Sequence, residues 1–306
     1  MQLFNSWALP SPSTRSTRLL KGYSITTTRD MRIATLANEF AIPDLDLFFY
    51  TLSLWNPELP DVYLYCDTKV SAWLAKGKRY AGKLFTKEAL NLYTGLSRRQ
   101  MEQMPGDTCR TLFGDFTAEK TNLLEWAFSY EGTDGVLFCD TDICFLGPLP
   151  KVPEGKTLAV SPHMIRSTDT ALYGIYNAGF IWMKDVSTAT RWRELCKTSR
   201  FFEQACIEDL VAETPTTYEY PIQVNYGWWR LWQADTTVIE RSEEWASSKE
   251  AVTVQGLPLL SVHTHFYEKN DKATVDFNRW VFSWLKKQKK AAPLVQKLTR
   301  DVGLSL

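Results

Sequence analysis

The sequence predicts an α/β fold in which a mainly parallel central sheet is flanked by helices. The first half of the chain alternates strand and helix patterns, in "DVYLYCD", "TAEKTNLLEWAFSYEGTDG" and "VLFCDTD", and such alternation is typical of parallel sheets. The chain has 306 residues, 44% of them hydrophobic, which is enough for one large core. Asp140 and Asp142 follow the apolar run of "VLFCDTD", and such sheets bind ligands beyond the carboxyl ends of their strands.

The apolar pattern defines each element of the first half in turn. "GYSITTTRD" predicts a first strand that ends in hydroxyl groups, and "LDLFFYTLSLWNPELP" has helical spacing and stops at Asn-Pro. "DVYLYCD" predicts the second strand. The next helix is expected to begin at the cap Thr117 and to end at a glycine-rich stop, and "VLFCDTD" follows as another strand.

The second half is predicted to complete one domain. Short strands are expected at 158–161 and 175–183, helix over most of 187–213, and a late apolar strand in "LPLLSVHTHF". An amphipathic helix then begins, and its apolar face holds Phe277, Trp280, Val281, Trp284 and Leu285. The expected organisation is a flexible tail over 1–20, one domain over 21–275, and a basic amphipathic helix and tail over 276–306.

Charge and composition exclude several classes of protein. The 35 acidic and 35 basic residues cancel, so the chain has no overall basic field for nucleic acid. The six cysteines form no C-x-x-C pair and predict free, mostly buried thiols in a reducing compartment such as the cytoplasm. No stretch reaches the roughly 20 apolar residues of a membrane span. Residues 1–20 hold no acidic residue and are interpreted as either a flexible tail or a transit peptide. The twelve tryptophans either fill the core or line a cleft.

The pair Asp140 and Asp142 predicts a metal site. Two carboxylates one residue apart beside a buried strand repel each other, and a cation between them relieves that cost. Such carboxylates suit a hard divalent ion, Mg²⁺ or Mn²⁺, that also holds phosphate oxygens. The alternative is that the two acids cap neighbouring helices. A second Asp-x-Asp pair, Asp44 and Asp46, follows no apolar strand and is interpreted as a solvated loop or helix start.

Two further segments support a metal site. In "VHTHFYEKND", His263 and His265 end an apolar strand, and Lys269 follows His263 by six residues. Neutral imidazole binds transition ions such as Mn²⁺, and lysine supplies a cation to phosphate; partly exposed strand-end histidines are the alternative. "IYNAGFIWM" predicts an Asn-Ala-Gly turn that brings the backbone and an amide close to a ligand, or else an ordinary strand turn.

Four segments in one order resemble a known family: "KTNLLEWAFSYEGTDGVLFCDTDICFLGPL", "YNAGFIWM", "FEQACIEDLV" and "VHTHFYEK". They resemble nucleotide-sugar-dependent glycosyltransferases of the GT-A fold, a single Rossmann-like domain. The chain is most similar to family 8, which includes glycogenin and bacterial galactosyltransferases, over roughly residues 22–270. The resemblance implies transfer of a hexose or pentose from a nucleotide-diphosphate donor such as a UDP-sugar. The acceptor would be a hydroxyl group of a glycan, a glycolipid or a lipid-linked molecule, and the cofactor Mn²⁺ or Mg²⁺.

The resemblance also implies a role for each matching residue. The metal ligands would be Asp140, Asp142 and His263, with His265 ranked second because it does not fit the family's six-residue spacing from histidine to lysine. The residues that would bind the donor are Thr27, Thr28, Arg29, Lys120, Asn177, Gly179 and Lys269, the last of these at the diphosphate. Gln204 would lie near the reacting carbon. The chain departs from the family where Glu203 replaces an Asp, and where Gly and Lys-Pro-Trp are missing after the histidine.

The sequence does not decide whether transfer retains or inverts the anomeric configuration of the sugar. Of the two, it favours retention. A retaining enzyme of this type needs no strong base, because the leaving phosphate can take the proton of the acceptor. An inverting enzyme needs a carboxylate base, and "IEDLV" supplies Glu208 and Asp209, which are otherwise part of a solvated helix face.

Two other functions share the acid pair. Haloacid-dehalogenase-like phosphatases carry Asp-x-Asp after an apolar strand, but that family has Gly or Thr and then Thr or Val after the second Asp, whereas Ile143 and Cys144 follow here. A non-catalytic sugar-nucleotide-binding module on the same fold is the other alternative.

The basic segment 277–300 also allows two interpretations. Its apolar face either packs on the domain or lies on an anionic membrane, where a lipid-linked acceptor would be found.

Overall fold

The computed structural model describes residues 31–132, 134–248 and 250–305. Its strands are β1 (Arg32–Ala37), β2 (Asp61–Cys66), β3 (Leu84–Glu88), β4 (Val136–Cys139), β5 (Ile143–Phe145), β6 (Leu158–Pro162), β7 (Tyr176–Met183), β8 (Thr217–Glu219), β9 (Tyr226–Gly227), β10 (Trp245–Ser247), β11 (Val252–Val254), β12 (Leu257–Pro258) and β13 (Ser261–His263). Its helices are α1 (Ile42–Trp55), α2 (Thr68–Leu74), α3 (Arg98–Gln103), α4 (Leu112–Phe128), α5 (Ser167–Tyr173), α6 (Val186–Cys196), α7 (Ile207–Glu213), α8 (Trp229–Trp232), α9 (Val238–Glu243), α10 (Lys272–Leu285) and α11 (Ala292–Val302). The expected tail over 1–20 and the expected strand "GYSITTTRD" lie outside the described residues.

The central sheet has seven strands in the order β3-β2-β1-β4-β7-β6-β8. Strands β3, β2, β1 and β4 run parallel, β7 is antiparallel to both β4 and β6, and β8 is parallel to β6. The predicted α/β class with a mainly parallel sheet is therefore confirmed. Strand β2 pairs with one side of β1, and β4 pairs with the other side. The carboxyl ends of β1 and β4 therefore form the crevice in which open α/β sheets bind ligands.

Strand β1 lies at the centre of the sheet and was not predicted from the sequence. All six of its residues are buried, but "RIATLA" holds an arginine and two alanines, which weaken the pattern of a strand. The guanidinium group of Arg32 donates to the carbonyl oxygens of Ala127 and Tyr130, at 2.9 and 2.5 Å. Arg32 therefore satisfies carbonyl groups at the carboxyl end of α4 that the helix itself leaves unpaired.

Helices cover both faces of the sheet. Apolar residues of α4, α6 and α7 pack on one face, where Leu123, Trp192 and Leu210 are buried. Helix α1 packs on the other face through Leu45, Phe48 and Leu52. Helix α4 is capped by Thr111, whose side chain accepts from the backbone of Gly114, whereas the expected cap, Thr117, lies inside the helix.

Two strand pairings position the residues that could carry chemistry. Strand β7 pairs antiparallel with β4, so the amide of Asp140 donates to the carbonyl of Gly179 at 2.9 Å. Strand β13 pairs antiparallel with β5 and places His263 opposite Ile143, the residue after Asp142. The expected Asn-Ala-Gly turn is wrong, because these residues lie within the continuous strand β7. The late strand "LPLLSVHTHF" is divided into β12 and β13.

The C-terminal segment forms two helices that pack on the domain. In α10 the residues Phe277, Val281 and Leu285 are at most 2% exposed and belong to a third apolar cluster with α11. Lysines lie in the exposed connection between the two helices: Lys286, Lys287, Lys289 and Lys290. Three of the five residues of the predicted apolar face are thus buried, and the other two, Trp280 and Trp284, are partly buried against the same cluster. No helix in the described part of the chain combines the length and apolar character needed to cross a bilayer.

Candidate active site

The acid pair lies in the tight connection between β4 and β5. The backbone amide of Ile143 donates to the carbonyl of Asp140 at 3.2 Å, and that of Thr264 donates to the carbonyl of Asp142 at 3.0 Å. The first bond closes the turn between Asp140 and Ile143. The second attaches Asp142 to the chain that follows β13. The side chain of Asp142 is only 11% exposed and that of Asp140 is 26% exposed, so both carboxylates are largely shielded from water.

His263 completes a group of three possible metal ligands. Its Nε2 lies 3.1 Å from Asp142 Oδ2 and 3.9 Å from Asp140 Oδ2. One ligand atom from each of these three residues lies within 4.8 Å of the other two. Two carboxylates and one imidazole suit a divalent ion of the Mn²⁺ type. The residues present therefore fit the metal that the acid pair predicts.

Asn225 fixes the orientation of the His263 ring. Its Oδ1 lies 2.9 Å from His263 Nδ1, while its Nδ2 donates to Asn177 Oδ1 at 2.9 Å and to Ser161 Oγ at 3.1 Å. Because the amide nitrogen is already donating, Oδ1 must accept from Nδ1–H, which leaves Nε2 of the neutral ring free to bind an ion. Asn225 has a φ of +56°, a left-handed conformation that asparagine tolerates better than most residues.

Gly179 and Trp229 shape the site around the ligands. A Cβ atom on Gly179 would lie 2.4 Å from His263 Cε1 and 2.5 Å from Asp140 Oδ2, so only glycine leaves room for both side chains. The indole of Trp229 meets the ring of His263 edge to face, with ring centroids 4.9 Å apart. The same indole contacts the buried His163 at 5.2 Å. The contact with Trp229 restricts movement of the His263 ring.

His265 also contacts the acid pair. Its Nε2 lies 3.3 Å from Asp142 Oδ2 and its Nδ1 lies 2.9 Å from Asp44 Oδ2. The charge of Asp142 raises the pKa of His265 to about 10. Burial alone would raise the pKa of Asp142, but His263 and His265 outweigh it and hold that pKa below its usual range.

The expectation of a solvated Asp44 is wrong. Asp44 lies in the first turn of α1, as one of the two interpretations had it, but its side chain is only 9% exposed. Burial raises its pKa, while the hydrogen bond and the charge of His265 act in the opposite direction. Its neighbour Asp46 pairs instead with Lys297, at 2.6 Å.

Lys120 links the acid pair to the segment before α7. Its Nζ lies 3.0 Å from Asp140 Oδ1 and 2.7 Å from Glu203 Oε1, and the lysine and glutamate side chains are both 6% exposed. Burial would lower the pKa of Lys120, but the two carboxylates raise it above its usual range. Lys120 therefore carries its charge at neutral pH and neutralises one of the two buried acids.

Gln204 is held against strand β7. Its Oε1 accepts from Asn177 Nδ2 at 3.2 Å and from the amide of Ala178 at 3.3 Å, and its Nε2 donates to the carbonyl of Tyr173 at 2.8 Å. Asn177 Oδ1 in turn accepts from the amide of Gly179 at 3.0 Å and from Asn225. A continuous set of hydrogen bonds thus joins Gln204 to the asparagine that orients His263.

The other sequence-predicted residues that the structure describes lie apart from this group. Lys269 is exposed in the connection before α10, and its side chain forms no ion pair with a described residue. Glu208 accepts from the amide of Ile175 at 2.8 Å and pairs with Arg200 at 2.7 Å. Asp209 is exposed on α7. Thr27, Thr28 and Arg29 lie outside the described residues, and the strand that ends beside Asp140 is β1.

Several residues that support the site could not be predicted from the sequence. Asn225, Trp229 and Arg230 belong to no recognisable motif, and Asp44 belongs to the second Asp-x-Asp pair, which is interpreted from the sequence as solvated. The guanidinium group of Arg230 is fully buried and donates to the carbonyls of Ile222 and Pro162 at 2.7 and 2.6 Å. It also donates to Ser161 Oγ at 3.1 Å. Arg230 thereby ties the segment that carries Asn225 to β6. Burial lowers the pKa of Arg230 to about 10. No local sequence pattern predicts a buried arginine in this role.

The predicted state of the cysteines is confirmed. All six thiols are free, and each is buried except that of Cys109, which is partly exposed. Two tryptophans are buried, as the core interpretation predicts: Trp192 donates to the carbonyl of Glu203 at 2.8 Å, and Trp229 contacts the metal-ligand candidate His263.

The fold is shared with solved glycosyltransferase structures. The galactosyltransferase LgtC, in a crystal structure with donor and acceptor sugar analogues, aligns over 83% of this chain and 96% of its own, with a TM-score of 0.50 and 13% identity. The glycosyltransferase GlyE of Streptococcus pneumoniae TIGR4 aligns over 90% of this chain and 64% of its own, with a TM-score of 0.53 and 13% identity. No family model and no curated protein matches the sequence. Similarity at this level of identity demonstrates a common fold.

Proposed function

From the GT-A fold that the chain shares with these structures, we propose that it is a metal-dependent glycosyltransferase. It would move a hexose or pentose from a nucleotide-diphosphate donor, such as a UDP-sugar, to a hydroxyl group of a glycan or a lipid-linked acceptor. The observation that carries the proposal is the group Asp140, Asp142 and His263. It lies at the carboxyl end of β4, next to that of β1, where α/β sheets bind nucleotides.

The residues of the site suit departure of a nucleoside diphosphate. When bound, a divalent ion such as Mn²⁺ or Mg²⁺ would offset the negative charge that develops on the leaving phosphate. Asp140, Asp142 and His263 would hold that ion, and Asn225 keeps His263 Nε2 directed at Asp142. Gly179 leaves room for His263 and Asp140 because it has no side chain, and its backbone would contact the donor sugar.

The hydrogen-bonding side chains of the site would position the donor sugar. Gln204 and Asn177 are already fixed to each other and to β7, so their orientation needs no rearrangement when substrate binds. Lys120 offsets the charge of one of the two carboxylates that it contacts, Asp140 and Glu203, which reduces the repulsion between these acids and the diphosphate. Lys269 is exposed, so a contact with the diphosphate would require its side chain to turn toward the site.

The carboxylates around the site support retention. Glu203 is paired with Lys120, and Glu208 is engaged by Arg200 and the amide of Ile175. Neither is free to take a proton from an acceptor, and Asp209 is exposed on α7. The remaining route is one in which the leaving phosphate accepts that proton, as the resemblance implies. NMR of the product's anomeric proton would reveal which configuration is formed.

The proposal is tested by incubating the protein with Mn²⁺ and a panel of nucleotide sugars, with nucleoside diphosphate release as the readout. We expect release from one donor, and a loss of about 100-fold or more in Asp140→Ala and Asp142→Ala. Asp235→Ala, a change at an exposed acid, is the matched control and should retain full activity. Near-normal rates in both site variants would overturn the assignment.

The same assay distinguishes the two alternatives. Inorganic phosphate released from phosphomonoesters would identify a phosphatase. Donor binding without turnover, with acceptors supplied, would identify a sugar-nucleotide-binding module. The shared fold favours the transferase over the phosphatase, and the group Asp140, Asp142 and His263 favours it over the module.

Location at a membrane surface is the last part of the proposal. The apolar face of α10 is buried in the protein, so peripheral contact would rest on the exposed lysines between α10 and α11 and on anionic lipid. The free cysteines fit a reducing compartment such as the cytoplasm.

A further inference from the structure

The site presents two imidazole rings in matching arrangements. Nδ1 of His263 lies 2.9 Å from Asn225 Oδ1, and Nδ1 of His265 lies 2.9 Å from Asp44 Oδ2. The Nε2 atoms of the two rings lie 3.1 and 3.3 Å from the same oxygen, Asp142 Oδ2. Each ring is therefore fixed at one nitrogen and directs the other at the acid pair.

The two distances to Asp142 Oδ2 suit neighbouring ligands of one ion. Asp140, Asp142 and His263 form a group whose ligand atoms all lie within 4.8 Å of one another, and His265 is outside that group, so its ring would turn toward the group to bind the same ion. With bonds of about 2.1 Å, two ligands lie about 3.0 Å apart at a right angle and about 3.4 Å apart at the tetrahedral angle. The separations of both Nε2 atoms from Asp142 Oδ2 fall within that interval. His265 is 60% exposed, so its ring lies on the open side of the site, where a ligand can join or leave without disturbing the core.

The burial of Asp44 indicates that its side chain serves His265. Asp44 Oδ2 contacts His265, while its buried Oδ1 has no hydrogen-bond partner among the described residues. A buried carboxylate with half of its acceptors unused is costly, and an apolar residue would pack at this helix start without that cost. Its position in the first turn of α1 offsets part of the cost, because the helix dipole favours negative charge there.

We propose that His265 is a second imidazole ligand of the ion and that Asp44 is its positioning residue. The ligand set then contains two nitrogens and two carboxylates: His263, His265, Asp140 and Asp142. Imidazole nitrogen favours transition ions, whereas Mg²⁺ prefers oxygen. The pair Asp44–His265 thus makes the site select Mn²⁺ over Mg²⁺, an inference that rests on the proposed metal-dependent function.

The test measures metal binding to the metal-free protein without substrate. Mn²⁺ affinity is read from the electron paramagnetic resonance of the free ion, and Mg²⁺ affinity from competition with Mn²⁺. We expect His265→Ala to weaken Mn²⁺ binding about tenfold or more and Mg²⁺ binding by less than threefold. Electron spin echo modulation of bound Mn²⁺ should show two nitrogen ligands in the wild type and one in His265→Ala.

Variants of Asp44 test whether this residue positions His265 or only stabilises the fold. Asp44→Asn keeps an acceptor oxygen for His265 Nδ1 and should lose less Mn²⁺ affinity than Asp44→Leu. Asp46→Asn, two residues on in the same helix and paired with Lys297, is the matched control and should bind Mn²⁺ as the wild type does. Far-ultraviolet circular dichroism confirms that each variant is folded.

The outcomes also separate this inference from the proposed function. One nitrogen ligand in the wild type, or equal losses for both metals in His265→Ala, would overturn the second imidazole ligand and leave the transferase intact. Failure of the wild type to bind either metal would overturn both. Asp142→Ala, which removes the shared carboxylate, should lose Mn²⁺ and Mg²⁺ together.

Discussion

Glu203 Oε1 lies 2.7 Å from Lys120 Nζ in a buried ion pair. The same ammonium group contacts Asp140 Oδ1 at 3.0 Å, so a single cation joins the acid pair to the segment that carries Gln204. The stability of that segment and the orientation of Asp140 are therefore coupled through Lys120.

Replacing Lys120 by methionine should destabilise the protein by about 3 kcal/mol or more, because it leaves Glu203 buried without its cation. Urea unfolding followed by circular dichroism measures the change. The double variant Lys120→Met, Glu203→Leu is the control, since it removes both charges of the pair and should recover part of the loss. If Lys120→Met alone unfolds at the wild-type urea concentration, the ion pair is not important to stability.

Alanine at position 179 should reduce metal binding. Its Cβ would lie 2.4 Å from His263 Cε1 and 2.5 Å from Asp140 Oδ2, so one of these ligands must move. We expect at least a tenfold rise in the Kd for Mn²⁺, measured by titration calorimetry. Gly77→Ala is the matched control, because a Cβ there has no neighbour within 4 Å. Equal affinity in both variants would contradict the crowding that the structure shows.

His163 should make the protein less stable in mild acid. Burial lowers its pKa from 6.5 to about 4, so the unfolded chain binds a proton that the folded protein rejects. Stability from this group is complete above pH 6.5 and is lost as the pH falls toward 4, by about 3 kcal/mol in total. Urea unfolding at several pH values should give a shallower pH dependence for His163→Gln. Parallel curves for the wild type and the variant would show that His163 does not contribute.

Contact with anionic membranes should depend on charge alone. We expect weak co-sedimentation with phosphatidylserine vesicles at low salt, released by salt, since each lysine near the surface contributes about 1 kcal/mol. Replacing the exposed lysines of the α10–α11 connection by serine should abolish it: Lys286, Lys287, Lys289 and Lys290. An equal number of changes at other exposed lysines is the control: Lys69, Lys76, Lys83 and Lys184. Binding that persists in high salt would instead require the apolar face of α10 to leave the core.

Residues 286–306 cannot simply be deleted in that experiment. Leu294 and Leu298 of α11 are fully buried, and Lys297 pairs with Asp46 at 2.6 Å. Removal of α11 would therefore expose apolar surface and test folding rather than membrane contact.

The sequence determined those features of the protein that depend on neighbouring residues. The apolar run before Asp140, the helix that stops at Asn-Pro and the apolar stripe of the C-terminal helix are local patterns, because burial alternates with the period of each element. The α/β class, the parallel strands and the acid pair at a strand end could therefore be predicted. Strand β1 could not, since the burial of its arginine and alanines depends on strands that pair with it on both sides.

The tertiary structure decided which side chains meet. His263 lies beside Asp142 because β13 pairs with β5 in one register, and a shift of one residue would turn the imidazole to the other face. Asp44 and His265 are 221 positions apart, and Asn225 and His263 are 38 positions apart, so no local pattern relates them. Their hydrogen bonds depend on how α1, β9 and β13 pack around the end of β4, which only the folded chain defines.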